Sequence, residues 1–109
     1  MSQFDVHRNP GRNAAAIPFV VVVQSASFDR LDRRIVVPLV LEDFFDRRAR
    51  LVHAAAIPSF TVEGIKVVFN PFDMVSVEAK KLGLVASNLA AEGDTIIKAL
   101  DEVFSRALG

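Results

Sequence analysis

The segment with the clearest periodicity in the chain is GDTIIKALDEVFSRALG, residues 93–109. At the step of about 100° per residue of an α-helix, its apolar side chains fall on one side and its polar side chains on the other. The apolar set is Ile96, Ile97, Leu100, Val103, Phe104, Ala107 and Leu108. The pattern predicts an amphipathic helix packed on a hydrophobic surface, with Asp94 or Thr95 as its N-cap.

Short runs of β-branched and aromatic residues precede this helix and predict the surface that it covers. We expect strands at 3–7 (half-buried), 17–23, 35–41, 51–57, 74–77 and 84–86, and a short helix or loop at 42–50. Residues 60–69 predict a β-hairpin, because Glu63-Gly64 joins two runs of β-formers. Val20 to Val23 predict a strand buried on both faces, hence a central strand or a dimer seam. Pro38 predicts an edge or a bulge in its strand.

These elements predict a mostly β protein, a small antiparallel SH3-like barrel with a C-terminal amphipathic helix. A length of 109 residues suits a single domain, 1–109, with a core of its own. The nine phenylalanines are expected mostly in that core.

Composition narrows the class of function. Thirteen basic residues balance thirteen acidic ones, so no net charge draws the chain to nucleic acid or to anionic membranes. Cysteine is absent, which removes disulfides and thiolate chemistry. No apolar run is long enough to span a bilayer, and the N-terminus does not resemble a signal peptide. We expect a cytoplasmic protein without cofactors.

The search for catalytic residues is largely negative. His7 and His53 have no partners at metal-ligand spacing, and each is expected to point outward or to occupy a satisfied pocket. The acidic cluster at 42–46 is followed by Arg47, Arg48 and Arg50, which indicates a solvated face rather than paired-acid catalysis. Arginines at 30–34 alternate with aspartates, and no tyrosine or tryptophan is available for base stacking. The sequence therefore predicts a protein that acts by binding and is not an enzyme.

Several segments resemble the CcdB family of bacterial toxins, in order and over nearly the whole chain. The segments are Gln3-Phe4-Asp5-Val6 with Arg8-Asn9-Pro10, Ile17-Pro18-Phe19, Val23-Gln24-Ser25, 33–39 (RRIVVPL), the weaker 73–77 (DMVSV) and 94–101 (DTIIKALD). The resemblance implies an SH3-like barrel that forms a homodimer. It also implies the toxin of a type II toxin–antitoxin module, which binds DNA gyrase between its A subunits without catalysis and is neutralised by an antitoxin. No direct contact with nucleic acid or membrane is implied, except with DNA through the antitoxin complex.

Three contact surfaces are expected. The antitoxin-facing loop is expected to include Arg8, Asn9 and Arg12, and the dimer seam to include Val20, Val21, Val22 and Val23 together with the helix end. The target-binding positions are Ser105, Arg106, Ala107, Leu108 and Gly109. Here the chain departs from the family, which ends with tryptophan or a small residue, glycine, and isoleucine or phenylalanine.

Two alternatives remain. One is a divergent homologue on the same scaffold, which keeps the antitoxin-facing surface but has lost or changed its target. The other is an endoribonuclease of the related barrel family, for which Arg33, Arg34 and Glu63 are the candidate residues. This reading rests on fold analogy alone, which carries little functional weight without a site.

Overall fold

The structure is a computed structural model that describes residues 2–104. Its strands are β1 (Asp5–Arg8), β2 (Phe19–Val22), β3 (Arg33–Leu41), β4 (Ser59–Val62), β5 (Ile65–Phe69), β6 (Val75–Glu78) and β7 (Val85–Asn88). Its α-helices are α1 (Arg47–Val52) and α2 (Gly93–Phe104). Short 3₁₀ turns join several of these elements.

All strand pairs are antiparallel, and they form one sheet in the order β4-β5-β3-β2-β1-β7, with β6 pairing β3 alongside this path. The sheet curls into a half-barrel, and α2 packs on its concave side. The main core holds Phe19, Val21, Leu39 and Phe69 from the sheet and Ile96 from the helix. The predicted mostly β, barrel-like fold with a C-terminal helix is confirmed.

The predicted hairpin is present as β4 and β5. Its turn residues, Glu63 and Gly64, have φ values of 51° and 77°. Positive φ at both central positions is typical of a type I′ turn, whose twist matches that of the strands it joins. The turn sets the register that places Val62 opposite Ile65.

Pro38 was expected to mark an edge or a bulge of its strand. Strand β3 is paired on both sides, but next to Pro38 one of these sides has a gap between two partner strands. Along one side of β3, the partner is β2 throughout. Along the other side the partner changes from β6 to β5, and Pro38 lies between the two paired sections. The carbonyl of Pro38 accepts a hydrogen bond from the Asn70 amide there, at 3.1 Å. The missing N–H of proline therefore costs no ladder bond.

The strand predicted at 51–57 is wrong. Asp46 accepts hydrogen bonds from the amides of Arg48 and Ala49 and so starts α1, which continues to Val52. Leu51 and Val52 are exposed. An apolar run of this length does not distinguish a strand from a helix by periodicity, and the aspartate cap decides the outcome.

Helix α2 differs from its prediction in start and in facing. It begins at Gly93, directly after a 3₁₀ turn, so neither Asp94 nor Thr95 is its N-cap. Ile96 is fully buried, whereas Ile97 and Phe104 are 42% and 64% exposed. The buried stripe is centred on Ile96 and Ala99 and is narrower than predicted. Ala107 and Leu108 lie outside the described residues.

The phenylalanines are also less buried than predicted. Four of the nine are more than half exposed: Phe28, Phe44, Phe72 and Phe104.

Candidate functional site

The outer, convex face of the sheet carries an apolar strip, which we define as Val20, Val36, Pro38, Val75 and Val77. The strand register places Val20 opposite Pro38 and Val36 opposite Val75. Side chains alternate between faces along a strand, so these residues lie opposite the core residues Val21 and Val37. Val75 is 49% exposed. The outer strip forms the floor of a groove of about 480 Å³.

The loop that follows β1 forms one wall of this groove, together with Ile17. Asn9 shapes the loop: its side-chain amide donates to Asn13 Oδ1 and to the Ile17 carbonyl, both at 2.8 Å. Its side-chain oxygen accepts from the Gly11 amide at 2.9 Å. Such side-chain bonds to the local backbone are typical of Asx turns. The loop is therefore held in one shape by its own residues.

The three residues predicted to face an antitoxin have different surroundings. Arg8 forms an ion pair with Glu63 (Nη2 to Oε2, 2.6 Å), and its guanidinium lies 5.9 Å from the Phe19 ring centroid. Asn9 is occupied within the loop. Arg12 is exposed and has no ion-pair partner within residues 2–104. Of the three, Arg12 presents the most accessible charge.

Gly83 allows the chain before β7 to approach β1. A Cβ at this position would lie 2.3 Å from the Arg8 carbonyl oxygen. The His7 ring also reaches this point, with Nδ1 donating to the Gly83 carbonyl at 2.9 Å. The residues before β7 therefore cover β1 and form part of the opposite wall of the groove, through Leu82.

The four valines predicted for the dimer seam are mostly internal to the chain. Val21, Val22 and Val23 are each at most 7% exposed. Val20 is half-buried and belongs to the outer strip. The central-strand reading is confirmed, because β2 pairs with both β1 and β3. Of the valine run, Val20 is the position whose side chain reaches the surface groove.

Strand β1 is buried on both sides, so the expected half-buried strand is wrong. Asp5 and His7 are 9% and 3% exposed. Asp5 accepts from the Ser2 amide and the Asn88 side chain, both at 2.8 Å. The buried His7 Nε2 has no hydrogen-bond partner within residues 2–104. Of the two ring nitrogens, only Nδ1 is therefore hydrogen-bonded there. His53 is exposed at the end of α1.

The pKa of Asp5 is lower than its ordinary value. Burial opposes ionisation of the carboxyl, but hydrogen bonds from Ser2 and Asn88 and electrostatic attraction to His7 outweigh that cost. The ionised carboxylate therefore stabilises the folded state above the ordinary pKa of 3.8. This contribution is lost as the pH falls through the lower folded-state pKa.

We expect Asp5→Asn to reduce the loss of stability on acidification. Its free energy of unfolding should be below that of the wild type near pH 6. The two curves should converge as the pH falls through the lowered folded-state pKa of Asp5, since protonated Asp5 no longer differs in charge from asparagine. Urea unfolding from pH 6 to pH 2 measures this. Asp43→Asn, at an exposed position, is the control, and curves that stay parallel for Asp5→Asn would contradict the assignment.

The residues proposed for an endoribonuclease do not come together. Arg34 is 5% exposed and donates to the carbonyls of Asp29 (2.8 Å), Leu31 and Arg33. Glu63 is bound to Arg8, beside the other end of β3. At about 3.3 Å per residue, the five residues from Arg34 to Leu39 span roughly 16 Å. No proton-transfer pair forms between these groups.

Two of the three acidic residues at 42–46 are also bound to other groups of the chain. Arg50 pairs with Glu42 (Nη1 to Oε1, 3.0 Å), and Asp46 caps α1. Within residues 2–104, no three His, Cys, Asp or Glu side chains meet as metal ligands. Neither α1 nor α2 has the length and hydropathy needed to cross a bilayer. The predicted target-binding positions, Ser105 to Gly109, lie outside the described residues.

The chain matches one known protein family over most of its length. The family model described as CcdB protein matches residues 3–105. The chain belongs to the CcdB family. The match spans every strand and both α-helices, and it ends before Arg106. No curated protein matches the chain.

The outer strip of this CcdB chain was not found from the sequence, although a signal was present. Val36 and Pro38, and then Val75 and Val77, are separated by one residue, so each pair lies on one face of a strand. The core face carries equally apolar residues. Without the pairing of β3 with β6, the two faces cannot be told apart.

Proposed function

We propose that residues 1–109 form the toxin of a type II toxin–antitoxin module, a cytoplasmic homodimer that inhibits DNA gyrase by binding and is neutralised by an antitoxin. The observation that carries this proposal is the CcdB family match over residues 3–105. The geometry supports action by binding, since Arg34 is buried and Glu63 and Glu42 are each held in an ion pair with an arginine.

The groove supports a seam between two copies of the chain. Its floor is the apolar outer strip, and Asp73 and Lys81 lie on its rim, before and after β6. In an isologous interface, a residue away from the two-fold axis that contacts a second residue of the partner copy is matched by the reciprocal contact. A two-fold axis near the middle of β6 therefore brings Asp73 of each copy toward Lys81 of the other. We propose Val20 and the outer strip as the seam, in place of the whole valine run.

We expect Val20→Asp to raise the dimer dissociation constant at least about thirtyfold, because burial of an unpaired charge costs 2 kcal/mol or more. Sedimentation equilibrium of the purified chain measures the change. Leu51→Asp is the matched control, since Leu51 is 77% exposed on α1. Equal dissociation constants for both variants and the wild type would rule out this seam.

The loop beside the seam is the proposed contact for the antitoxin. Arg12 has no ion-pair partner within residues 2–104, so its guanidinium is available for a carboxylate of a binding partner. Asn9 contributes by holding the loop in shape.

A divergent homologue is the second candidate. It is favoured by the tail: positions that hold tryptophan or a small residue and then glycine in the family hold Ser105 and Arg106 here. Such a protein keeps the antitoxin-facing loop without gyrase poisoning.

Induced expression in a gyrase-sensitive host separates the two candidates. A toxin should arrest growth and change the supercoiling of a reporter plasmid, and coexpression of its antitoxin should reverse both. Unchanged growth and supercoiling at confirmed expression would reject gyrase poisoning. Incubation of the repurified protein with a mixed RNA substrate tests the endoribonuclease reading, for which specific cleavage is required.

A further inference from the structure

The strand β4 ends the sheet and has an unpaired outer edge. The Phe69 amide donates to the Pro58 carbonyl at 2.9 Å, next to β4. Hydrogen-bonded pairs alternate along an antiparallel ladder, so Phe60 and Val62 also direct their amides and carbonyls toward β5. Ser59 and Thr61 direct theirs outward. Within residues 2–104, these outward groups have no hydrogen-bond partner.

A groove of about 430 Å³ runs beside this edge. The volume is within the range of sites that hold ligands. The groove lies where the curled sheet is open, since Leu89, which lines it, directly follows β7 at the other end of the strand order. The lining residues are Glu42, Ser59, Phe60, Thr61, Lys66, Leu89 and Glu92.

The outer edge of β6 provides a contrast. There Arg33 donates from Nη2 to the Ser76 carbonyl and from Nε to Ser76 Oγ, both at 2.8 Å. A charged side chain laid along an edge is a common protection against pairing with other chains. Among residues 2–104, no charged side chain is bonded to the edge of β4, which is limited only by its length of four residues.

The charges and apolar surface beside the β4 edge define what fits there. Two carboxylates, Glu42 and Glu92, line the groove with one ammonium, Lys66. Glu42 is paired with Arg50. Glu92 is exposed, and its carboxylate has no hydrogen-bond or ion-pair partner within residues 2–104. The groove therefore favours a basic side chain near Glu92, and Leu89 offers an apolar contact.

We propose that the β4 edge binds an extended segment of a partner protein in which apolar and basic residues alternate. The segment adds a strand to the sheet, with the amides and carbonyls of Ser59 and Thr61 supplying the main-chain bonds. This is recognition by strand addition, where the backbone gives affinity and alternate side chains give specificity. The inference does not depend on whether gyrase is the target.

The test is an NMR titration of the ¹⁵N-labelled full chain with a capped synthetic peptide, Thr-Lys-Val-Lys-Val-Lys-Thr. We expect the amide signals of Ser59, Thr61 and Glu92 to shift most. Thr61→Pro removes the outward amide without breaking the ladder, and should weaken binding at least about tenfold. Thr61→Val keeps the amide and should bind as the wild type does.

A second variant keeps the test independent of the folding of Thr61→Pro. Glu92→Lys should weaken binding of the lysine peptide. The wild type should bind the lysine peptide more tightly than a peptide in which glutamate replaces each lysine. No saturable shifts, shifts centred away from β4, or equal binding by all variants would overturn the proposal. Shifts of the same amides that grow with protein concentration alone would assign the edge to a second copy, and would overturn it as well.

Discussion

Phe69→Ala is expected to lower the free energy of unfolding by about 3–5 kcal/mol, the range for deletion of a buried aromatic ring. Phe69 is fully buried, lies opposite Leu39 in the sheet and packs edge-on against Phe60 with ring centroids 6.3 Å apart. The deletion also leaves a cavity that rigid neighbouring strands cannot close. Because small domains are stable by only about 5–15 kcal/mol, the variant should be close to unfolding.

Urea unfolding at one fixed protein concentration measures this change, since the proposed homodimer would make stability depend on concentration. Phe72→Ala is the matched control: the same ring is removed three residues away, where it is 60% exposed. Its free energy of unfolding should change by no more than about 0.5 kcal/mol. Similar losses for both variants would show that the core is not organised around Phe69.

The elements predicted well are those specified by adjacent residues. Glu63-Gly64 specifies the hairpin turn. Four successive valines specify a buried strand, whichever strands become its neighbours in the sheet. The segment at 51–57 failed because its structure depends on an N-cap outside the apolar run, at Asp46. The helix face failed for another reason. A hydrophobic stripe gives an approximate direction, but the packing of Ile96 and Ala99 in the core decides which flank, here Ile97, is left in solvent.

The candidate sites divide in the same way. The antitoxin-facing loop was expected to include Arg8, Asn9 and Arg12. Asn9 and Arg12 lie in the loop after β1, whereas Arg8 is the last residue of that strand. The groove beside it depends on contacts between segments distant in sequence, the pairing of β3 with β2 and β6, which no local pattern encodes. The burial of Asp5 and His7 likewise depends on β7, which pairs with β1. Alternation predicted which side chains share a face of a strand, but not which face is covered.

The tail offers the largest expected change in function. The resemblance implies that a terminal tryptophan, glycine and isoleucine contact gyrase, and this chain has Ser105, Arg106 and Ala107 at those positions. An aromatic side chain in a desolvated interface is a typical hot spot, with 2 kcal/mol or more lost when it is truncated. A flexible glycine allows the tail to adopt the conformation that an interface requires, and arginine does not provide that freedom.

We therefore expect the variant Ser105→Trp, Arg106→Gly, Ala107→Ile, without residues 108–109, to bind the gyrase A subunit at least about thirtyfold more tightly than the wild type. Calorimetric titration with the purified subunit measures the affinity, and a supercoiling assay measures inhibition. The control keeps Ser105 and carries only the other changes, so it isolates the tryptophan. A gain in the full variant alone would show that the missing tryptophan limits gyrase binding. If neither variant gains affinity, the tail residues do not limit gyrase binding, and a difference in the rest of the chain must account for the weak binding.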